Sequence, residues 1–338
     1  MSKSMIEWTD EVWNPVTGCS KVSPGCANCY AERMSKRLAG RCGYPIDNPF
    51  RVTLHPDKID DPLKWKKPRR IFVNSMSDLF HEDVPFEFIR AVWVVMVTHR
   101  HHTYMVLTKR PKRMLEFFNW MAAQEFKIET YRNNIWLGVS IENQVVANER
   151  IPLLLQAPVT VRFISAEPLL GPVNIAKYLP HDAPKAYKLL SKFYGPSGFD
   201  STGSQLEIST IRGLDWVIVG GESGSRARLM HPDWVRSLRD QCQTANVPFF
   251  FKQWGEFTEV CRYESWSKYR DHVGGVSRAV GLSKLGLLNA DGSDLVNGGP
   301  EHKVYPISHL ERVGKKQAGR ILDGRTWDEL PEIGGDAE

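Results

Sequence analysis

Six short apolar segments recur along the chain, with helical or loop-rich stretches between them. They are Ile71–Val73, Tyr104–Leu107, Ile135–Val139, Val161–Ile164, Trp216–Val219 and Pro248–Phe251. Continuous apolar runs of this length are typical of parallel strands that are buried on both faces. Candidate helices at Phe86–Thr98 and Pro232–Ala245 fit between them, and Val12–Thr17 is a candidate first strand. This alternation predicts an α/β fold, a partial or complete (β/α) barrel of the TIM type.

Polar residues follow every one of these candidate strands. The polar ends are Asn74–Asp78, Thr108–Arg110, Ser140–Asn143, Ser165–Glu167, Gly220–Ser223 and Lys252–Trp254. In a (β/α) barrel the carboxyl ends of the strands meet at one face, so residues that are distant in sequence become neighbours there. Loop polarity or helix capping explains any single end equally well. Six polar ends together favour a functional site at that face.

Two regions depart from the strand–helix alternation. Residues 181–210 are punctuated by Gly, Ser and Pro, which predicts a loop insertion. After residue 254 the alternation fades into a Gly-rich segment at 274–299. We therefore divide the 338 residues into a barrel at 1–254, with an insertion near 181–210, and a C-terminal extension at 255–338 that packs on the barrel.

The chain has no pattern that predicts a membrane span or a secretory signal. Its longest purely apolar run, Ala91–Val97, has seven residues, whereas a membrane-spanning helix needs about 20. The segment Met1–Asp10 contains acidic residues and a Trp where a signal peptide has a basic region and then an apolar one. We therefore expect a cytoplasmic protein without a membrane partner, whose thiols stay reduced.

Three of the six cysteines lie close together, at Cys19, Cys26 and Cys29. Their spacing is C-x6-C-x2-C, and Pro24 and Gly25 supply a turn between the first two. A loop of this kind can gather three thiolates around one centre. Closely spaced cysteines in a chain that does not need disulfides indicate metal ligands or redox groups.

Three interpretations of the cysteine motif remain open from the spacing. A structural zinc site needs four protein ligands, which Cys42 or a His would complete. A [4Fe–4S] cluster held by only three cysteines leaves one iron open to a substrate or cofactor. Reduced thiols that bind no metal are the third interpretation. The spacing favours zinc and the cluster about equally.

The motif and the segments that follow it resemble the radical S-adenosylmethionine (SAM) superfamily and, more closely, the phage Gp37/Gp68 family of three-Cys-motif proteins. The matching segments are Asn14–Ser20, Gly25–Glu32, Asn74–Phe80, Leu107–Pro111, Leu137–Glu142, Ile164–Leu169, Val219–Gly224, Phe251–Gly255 and Gly314–Lys316. They span nearly the whole chain. For a phage-encoded member, the resemblance implies the host cytoplasm as the location.

The resemblance implies a [4Fe–4S] cluster on the three cysteines, SAM at the open iron and a protein that donates electrons. The reduced cluster would cleave SAM to a 5′-deoxyadenosyl radical, which abstracts hydrogen from a substrate. The superfamily holds the SAM amino group after the first well-marked strand, which points to Asn74, Ser75, Ser77 and Asp78. Hydroxyls and a carboxylate suit an ammonium group, although helix capping is the competing explanation.

The chain departs from the usual superfamily motif in two places. The usual spacing is C-x3-C-x2-C, and here the first gap has six residues. Asn28 stands where an aromatic residue usually precedes the last cysteine, and Tyr30 follows Cys29. Tyr30 is therefore our candidate for packing against the SAM adenine. A barrel that keeps the cluster without binding SAM is also compatible with this spacing.

Five further residues at strand ends are candidates for ligand binding or catalysis. Ser140 and Glu142 are able to bond a ribose. Glu167 and Glu222 are candidate SAM or substrate ligands, or a paired acid and base. Lys109 follows a strand directly and is expected to point into the site. Each has an ordinary surface role as its alternative.

The balance of charge is mildly basic, at +5, which is compatible with a nucleic-acid substrate without requiring one. Arg110, Lys112 and Arg113 are expected to meet solvent or phosphates. Lys252 and Trp254 pair a cation with a flat aromatic surface, as base stacking beside a phosphate requires. A solvated charged face and a Trp packed in the lower part of the barrel are the competing interpretations.

Several common enzyme motifs are missing. The chain has no Walker A sequence, no G-x-G-x-x-G after a strand and no H-E-x-x-H, and Ser225 interrupts a G-x-S-x-G pattern. The sequence therefore predicts a radical SAM-like [4Fe–4S] enzyme that modifies or repairs a nucleic acid or nucleotide, with or without a partner protein that recognises the substrate. The alternative is a nucleic-acid-binding protein stapled by zinc, without redox chemistry.

Overall fold

The computed structural model describes residues 6–124, 134–180, 213–263, 285–291 and 307–332. Seven parallel strands form one sheet in the order β1-β4-β5-β6-β7-β8-β9 and curve into a half-barrel. The strands are β1 (Glu11–Trp13), β4 (Arg70–Val73), β5 (Thr103–Thr108), β6 (Ile135–Ser140), β7 (Val161–Ala166), β8 (Trp216–Gly220) and β9 (Phe249–Gln253). The predicted α/β class with a barrel of parallel strands is thus confirmed in its partial form.

Helices follow the strands, as expected for repeated βα units. They are α1 (Tyr30–Leu38), α2 (Phe86–Thr98), α3 (Pro111–Ala123), α4 (Gln144–Leu154), α5 (Pro232–Thr244) and the short α6 (Lys315–Ala318). Two strands, β2 (Val16–Thr17) and β3 (Thr53–Leu54), pair apart from the main sheet. The candidate first strand Val12–Thr17 is therefore split, because Asn14 and Pro15 separate β1 from β2.

Alternate residues of the strands supply two separate apolar clusters. On one face, residues such as Leu137 and Val217 join the core that packs against the helices. On the other, concave face, a second cluster forms around buried aromatic rings that we call the aromatic floor: Trp8, Trp136, Phe163, Trp216 and Phe250. The Trp216 ring lies at the centre, 5.5–6.1 Å from the other four rings. The concave face is therefore filled at this level.

The C-terminal extension begins with an antiparallel sheet in the order β10-β12-β11. Its strands are β10 (Phe257–Tyr263), β11 (Leu285–Asn289) and β12 (Ile307–Arg312). The chain then returns to the barrel, where Phe251 N donates to Trp327 O at 2.9 Å and Glu329 N donates to Phe249 O at 3.3 Å. These bonds pair the tail with β9, the last strand of the parallel sheet, and cover its edge.

The six predicted strands and both predicted helices form where the apolar pattern places them, within one or two residues. The predicted insertion at 181–210 lies outside the described residues, as does most of the Gly-rich segment at 274–299. Among the residues that are described, no helix has the length and apolarity needed to cross a membrane.

Candidate functional site

The cysteine loop begins at Gly18, which follows β2. Gly18 has a φ of +83°, and an added Cβ would lie 2.1 Å from Arg51 O, so only glycine fits. Gly18 N donates to Met76 O, and Cys19 N donates to Phe50 O at 3.1 Å. The loop therefore leaves the sheet at a defined point, beside the residues that follow β4.

Glu142, which follows β6, holds the middle of the cysteine loop. Gly25 N donates to Glu142 Oε1 at 3.1 Å, and an added Cβ on Gly25 would lie 3.2 Å from this carboxyl carbon. Arg150 of α4 lies 3.4 Å from the other carboxylate oxygen and donates to Ser140 O at 2.7 Å. The Glu142 carboxylate is 1% exposed, so Arg150 and the loop together balance its charge.

Glu222, which follows β8, holds the far side of the loop. Its carboxylate accepts from Asn28 Nδ2 at 3.0 Å and forms an ion pair with Arg228 at 2.7 Å. Arg228 also donates to Pro24 O at 3.0 Å. Burial raises the pKa of Glu222, but the hydrogen bonds from Arg228 and Asn28 outweigh it and leave the pKa below its ordinary value. Glu222 is thus an anchor of the loop that carries the cysteines.

Arg110, which follows β5, lies against the first cysteine. Its Nη1 donates to Cys19 Sγ at 3.5 Å and to Asp78 Oδ2 at 3.3 Å. Its Nη2 donates to Ser20 O and Ser20 Oγ, and its Nε donates to Glu82 Oε2 at 2.8 Å. The five N–H groups of the guanidinium therefore all have acceptors.

Arg110 was expected to meet solvent or phosphates, but its side chain is buried, with 6% of the residue exposed. Burial opposes its charge, but the Asp78 carboxylate and the Cys19 sulfur hold its pKa above the ordinary value. Burial and Asp78 raise the pKa of the Cys19 thiol to about 11, although Arg110 acts in the opposite direction and Cys26 adds to the rise. A metal at Cys19 would have to displace this proton.

The residues expected to bind the SAM amino group are engaged in local bonds. Asp78 accepts from Thr108 Oγ1 at 2.7 Å and from Lys109 N at 2.9 Å, besides its ion pair with Arg110. Ser77 Oγ donates to Val16 O at 2.8 Å, and Ser75 Oγ donates to the side chain of Asn14 at 3.3 Å. These bonds join the end of β4 to the segment that leads into the cysteine loop.

Asn74 differs from its neighbours because part of its side chain has no partner. Its φ is +61°, a conformation that Asn tolerates better than most residues. Its Oδ1 accepts from Val16 N at 3.3 Å, while its buried Nδ2 has no hydrogen-bond partner among the described residues. The two N–H groups of this amide are therefore unsatisfied at the end of β4.

Glu167 and Lys252 form an ion pair at the ends of β7 and β9. Lys252 Nζ donates to both carboxylate oxygens of Glu167, at 2.8 and 2.9 Å. The Glu167 side chain is 22% exposed and the Lys252 side chain is 17% exposed. Trp254 is half-buried: its Nε1 donates to Ile321 O at 2.8 Å, and its ring makes a T-shaped contact with Phe251. The pair, rather than the Trp, offers polar atoms at this end of the barrel.

The other cations expected to bind nucleic acid also differ in position. Arg113 is half-buried, donates to His81 O and Val84 O and lies 4.4 Å from the centre of the Phe86 ring. Lys112 is exposed and lies 3.8 Å from Glu149. Of these two cations, Lys112 is the more exposed. Lys109, which we expected to point into the site, is half-buried.

Tyr30 and Cys29 lie at the start of α1. The Tyr30 side chain is 57% exposed, so its ring is accessible to a ligand. Cys29 is partly buried and packs against a small cluster of Ala31, Tyr44 and Met76. The last cysteine of the motif is therefore held by a helix and an apolar contact, as its position before α1 predicts.

The described residues contain no group of three or more His, Cys, Asp or Glu side chains that is arranged to hold a single metal ion. This holds for the three cysteines of the loop and for any grouping that includes Cys42, which is exposed after α1. All four thiols are free of disulfides.

Five charged side chains lie at the carboxyl ends of the strands, and we call them the rim: Asp78, Arg110, Glu142, Glu167 and Glu222. Sequence reasoning found each of these positions but missed their partners Arg150, Arg228 and Glu82. The signal for Arg150 is its helical spacing: it lies eight residues after Glu142, and three and four residues after Ala147 and Val146 on the buried face of α4. Arg228 and Glu82 lie in loops, where no periodicity points to them.

Comparison with known proteins gives one match. A family described as "Protein of unknown function (DUF5131)" matches residues 3–331. Neither the curated proteins nor the solved structures give a match. Since the family match covers almost the whole chain, this protein, with its half-barrel and its cysteine loop, belongs to the DUF5131 family.

Proposed function

We propose that this protein is an iron–sulfur enzyme of the radical SAM type, in which Cys19, Cys26 and Cys29 hold a [4Fe–4S] cluster. One observation carries the proposal: a single loop presents three free thiols at the carboxyl end of a half-barrel and is tied to it by Glu142 and Glu222. With SAM bound at the open iron, such a cluster supplies a 5′-deoxyadenosyl radical that removes a hydrogen atom from a substrate.

The donor set favours a cluster over a single ion. Zinc holds each of four ligands at about 2.0–2.3 Å, so its thiolates must converge on one point. A cluster offers a separate iron to each thiolate, and three thiolates on a loop suit it without a fourth protein ligand. Cys42 is exposed and lies after α1, outside the cysteine loop.

The chain's own residues hold the loop, exclude water and orient the substrate. Glu142 and Glu222 hold the loop from two strand ends. The aromatic floor closes the concave face below the rim and keeps solvent from that side, as radical chemistry requires. Glu167 and Lys252 present a carboxylate and an ammonium group that are able to bond a polar substrate.

A nucleic acid or nucleotide is the substrate class that we propose. Exposed cations border the cysteine loop: Lys21 within it, Arg33 on α1 and Arg226 after Glu222. Asn28 Nδ2 donates to Arg226 O, and Arg33 donates to Ser223 O, so both cations are tied to the loop region. Such a border favours a phosphate-bearing substrate. We further propose cytoplasmic action with a low-potential protein as electron donor.

The test is anaerobic reconstitution with iron and sulfide, followed by metal analysis and electron paramagnetic resonance (EPR) of the reduced protein with and without SAM. We expect about four irons and four sulfides per chain. We also expect a spectrum that SAM changes, and 5′-deoxyadenosine when dithionite is added. Stoichiometric zinc without sulfide would overturn the proposal in favour of a zinc-stapled binding protein.

Cysteine variants assign the ligands. Cys19→Ala, Cys26→Ala and Cys29→Ala should each lose most of the iron. Cys42→Ala is the matched control, because it removes an exposed thiol outside the loop and should keep the full iron content. If Cys42→Ala loses its metal, a four-thiolate site replaces the three-cysteine interpretation. A cluster whose spectrum ignores SAM would mean an iron–sulfur protein without radical SAM activity.

A further inference from the structure

We infer that Arg110 sets the reduction potential of the cluster through its contact with Cys19, an inference that rests on the proposed cluster. Arg110 Nη1 lies 3.5 Å from Cys19 Sγ, within hydrogen-bonding distance of a sulfur acceptor. Hydrogen bonds to ligand sulfur and nearby charge are two of the features that set iron–sulfur potentials. Arg110 supplies both and acts through the Cys19 sulfur, so it is a positioning residue.

The guanidinium is fixed in place by its other bonds. Ser20 supplies two acceptors to Nη2, its carbonyl at 3.2 Å and its hydroxyl at 2.8 Å. Glu82 accepts from Nε at 2.8 Å, and Asp78 accepts from Nη1 at 3.3 Å. A planar group bound on every side cannot turn away from the sulfur without breaking several bonds. The charge therefore stays beside Cys19 in both oxidation states.

Reduction adds one electron from a low-potential donor to the cluster and its thiolates, and no bond is made or broken at Arg110. The added negative charge is stabilised by a fixed cation and destabilised by a fixed anion. Arg110 is the cation closest to Cys19 Sγ among the contacts found there, and Asp78 is the anion behind it. Arg110 should raise the midpoint potential, and Asp78 should lower it.

The other groups near this sulfur act in known directions. Cys26 is close enough to raise the pKa of Cys19, but it is itself a proposed ligand. His81 bonds Ser20 Oγ at 2.8 Å, and its Nδ1 accepts from Asp83 N at 3.1 Å, which is the arrangement of a neutral ring. Glu82 is 60% exposed, and solvent screens its charge. Arg110 and Asp78 are therefore the two fixed charges to change.

The experiment is a redox titration of reconstituted protein, monitored by EPR, on four proteins. Arg110→Gln removes the cation and should lower the midpoint potential. Asp78→Asn removes the anion and should raise it. Arg113→Gln is the matched control, since it removes one positive charge three residues further along the chain, in α3, where the side chain donates to the carbonyls of His81 and Val84. Its potential should stay close to that of the wild type.

The outcomes separate this inference from the proposed function. If Arg110→Gln and Arg113→Gln have the wild-type potential, Arg110 has no role in setting it. If Arg110→Gln loses its cluster, two other variants still test the direction of the potential shift. Arg110→Lys keeps the positive charge beside Cys19, and Asp78→Asn removes the negative charge. A wild-type cluster that is indifferent to SAM would end the radical SAM assignment and leave the potential shifts measurable. A chain that binds no cluster would overturn both.

Discussion

The two ends of the concave face are built from the same strands and do different work. On β8, Trp216 lies in the aromatic floor with no exposed surface, while Glu222 follows the same strand and forms an ion pair with Arg228. The floor consists of ring contacts, and the rim consists of carboxylates with their donors. The start of one strand therefore contributes to the stability of the fold, and the residues after its end contribute to the candidate site, as in other barrels.

Replacing the central ring of the floor tests the stability side of this comparison. Trp216→Ala should lower the free energy of unfolding by about 3–5 kcal/mol, the usual cost of emptying a large aromatic site. The iron content of the chains that remain folded should be unchanged. Denaturant unfolding and metal analysis give the two values. A loss of iron without a loss of stability would contradict the distinction between a stabilising floor and a rim that holds the site.

Replacing an anchor of the rim should give the opposite pattern. Glu222→Gln keeps the shape and removes the charge that Arg228 and Asn28 bond. We expect a loss of about 1–3 kcal/mol of stability and a larger relative loss of iron, because the cysteine loop loses one of its two carboxylate anchors. Asp47→Asn is the control: it removes the ion pair between the exposed side chains of Asp47 and Arg51 and should keep the iron.

The same anchor predicts a pH dependence. The pKa of Glu222 is below its ordinary value of 4.5 in the folded chain, so its contribution to stability is present above that value. The contribution is lost as the pH falls through the lower, folded pKa. The stability difference between wild type and Glu222→Gln should therefore be constant above about pH 5 and should shrink in acid. A difference that grows in acid would contradict the assigned direction.

The smallest effects separate a partly buried ion pair from an exposed one. Lys252→Met leaves the Glu167 carboxylate without its ammonium partner and should cost about 1 kcal/mol, whereas Lys112→Met breaks an exposed pair and should cost less than about 0.5 kcal/mol. The first pair is 2.8 Å long and about one-fifth exposed, and the second is 3.8 Å long. Thermal unfolding of both variants gives the comparison. Equal costs would mean that partial burial adds nothing to the stability of the Glu167–Lys252 pair.

Local patterns carried most of the fold prediction. The apolar runs at Ile135–Val139 and Trp216–Val219 predicted strands because residues buried on both faces must be apolar throughout. The polar ends predicted which residues share one face, and Glu142 and Glu222 do meet there through the cysteine loop. Positions that depend on distant partners were not predicted: we expected Arg110 to meet solvent or phosphates, and it is buried and donates to Cys19 Sγ.

The sequence by itself determined the strands, the helices between them and the loop that carries three cysteines, because periodicity and turn residues act over short distances. The tertiary structure decided which charges are neutralised and by what. Asp78 meets Arg110, Glu142 meets Arg150 and Glu167 meets Lys252. These partners are 8 to 85 residues apart. A buried charge takes whichever counter-charge the fold brings to it, and no local pattern encodes that choice.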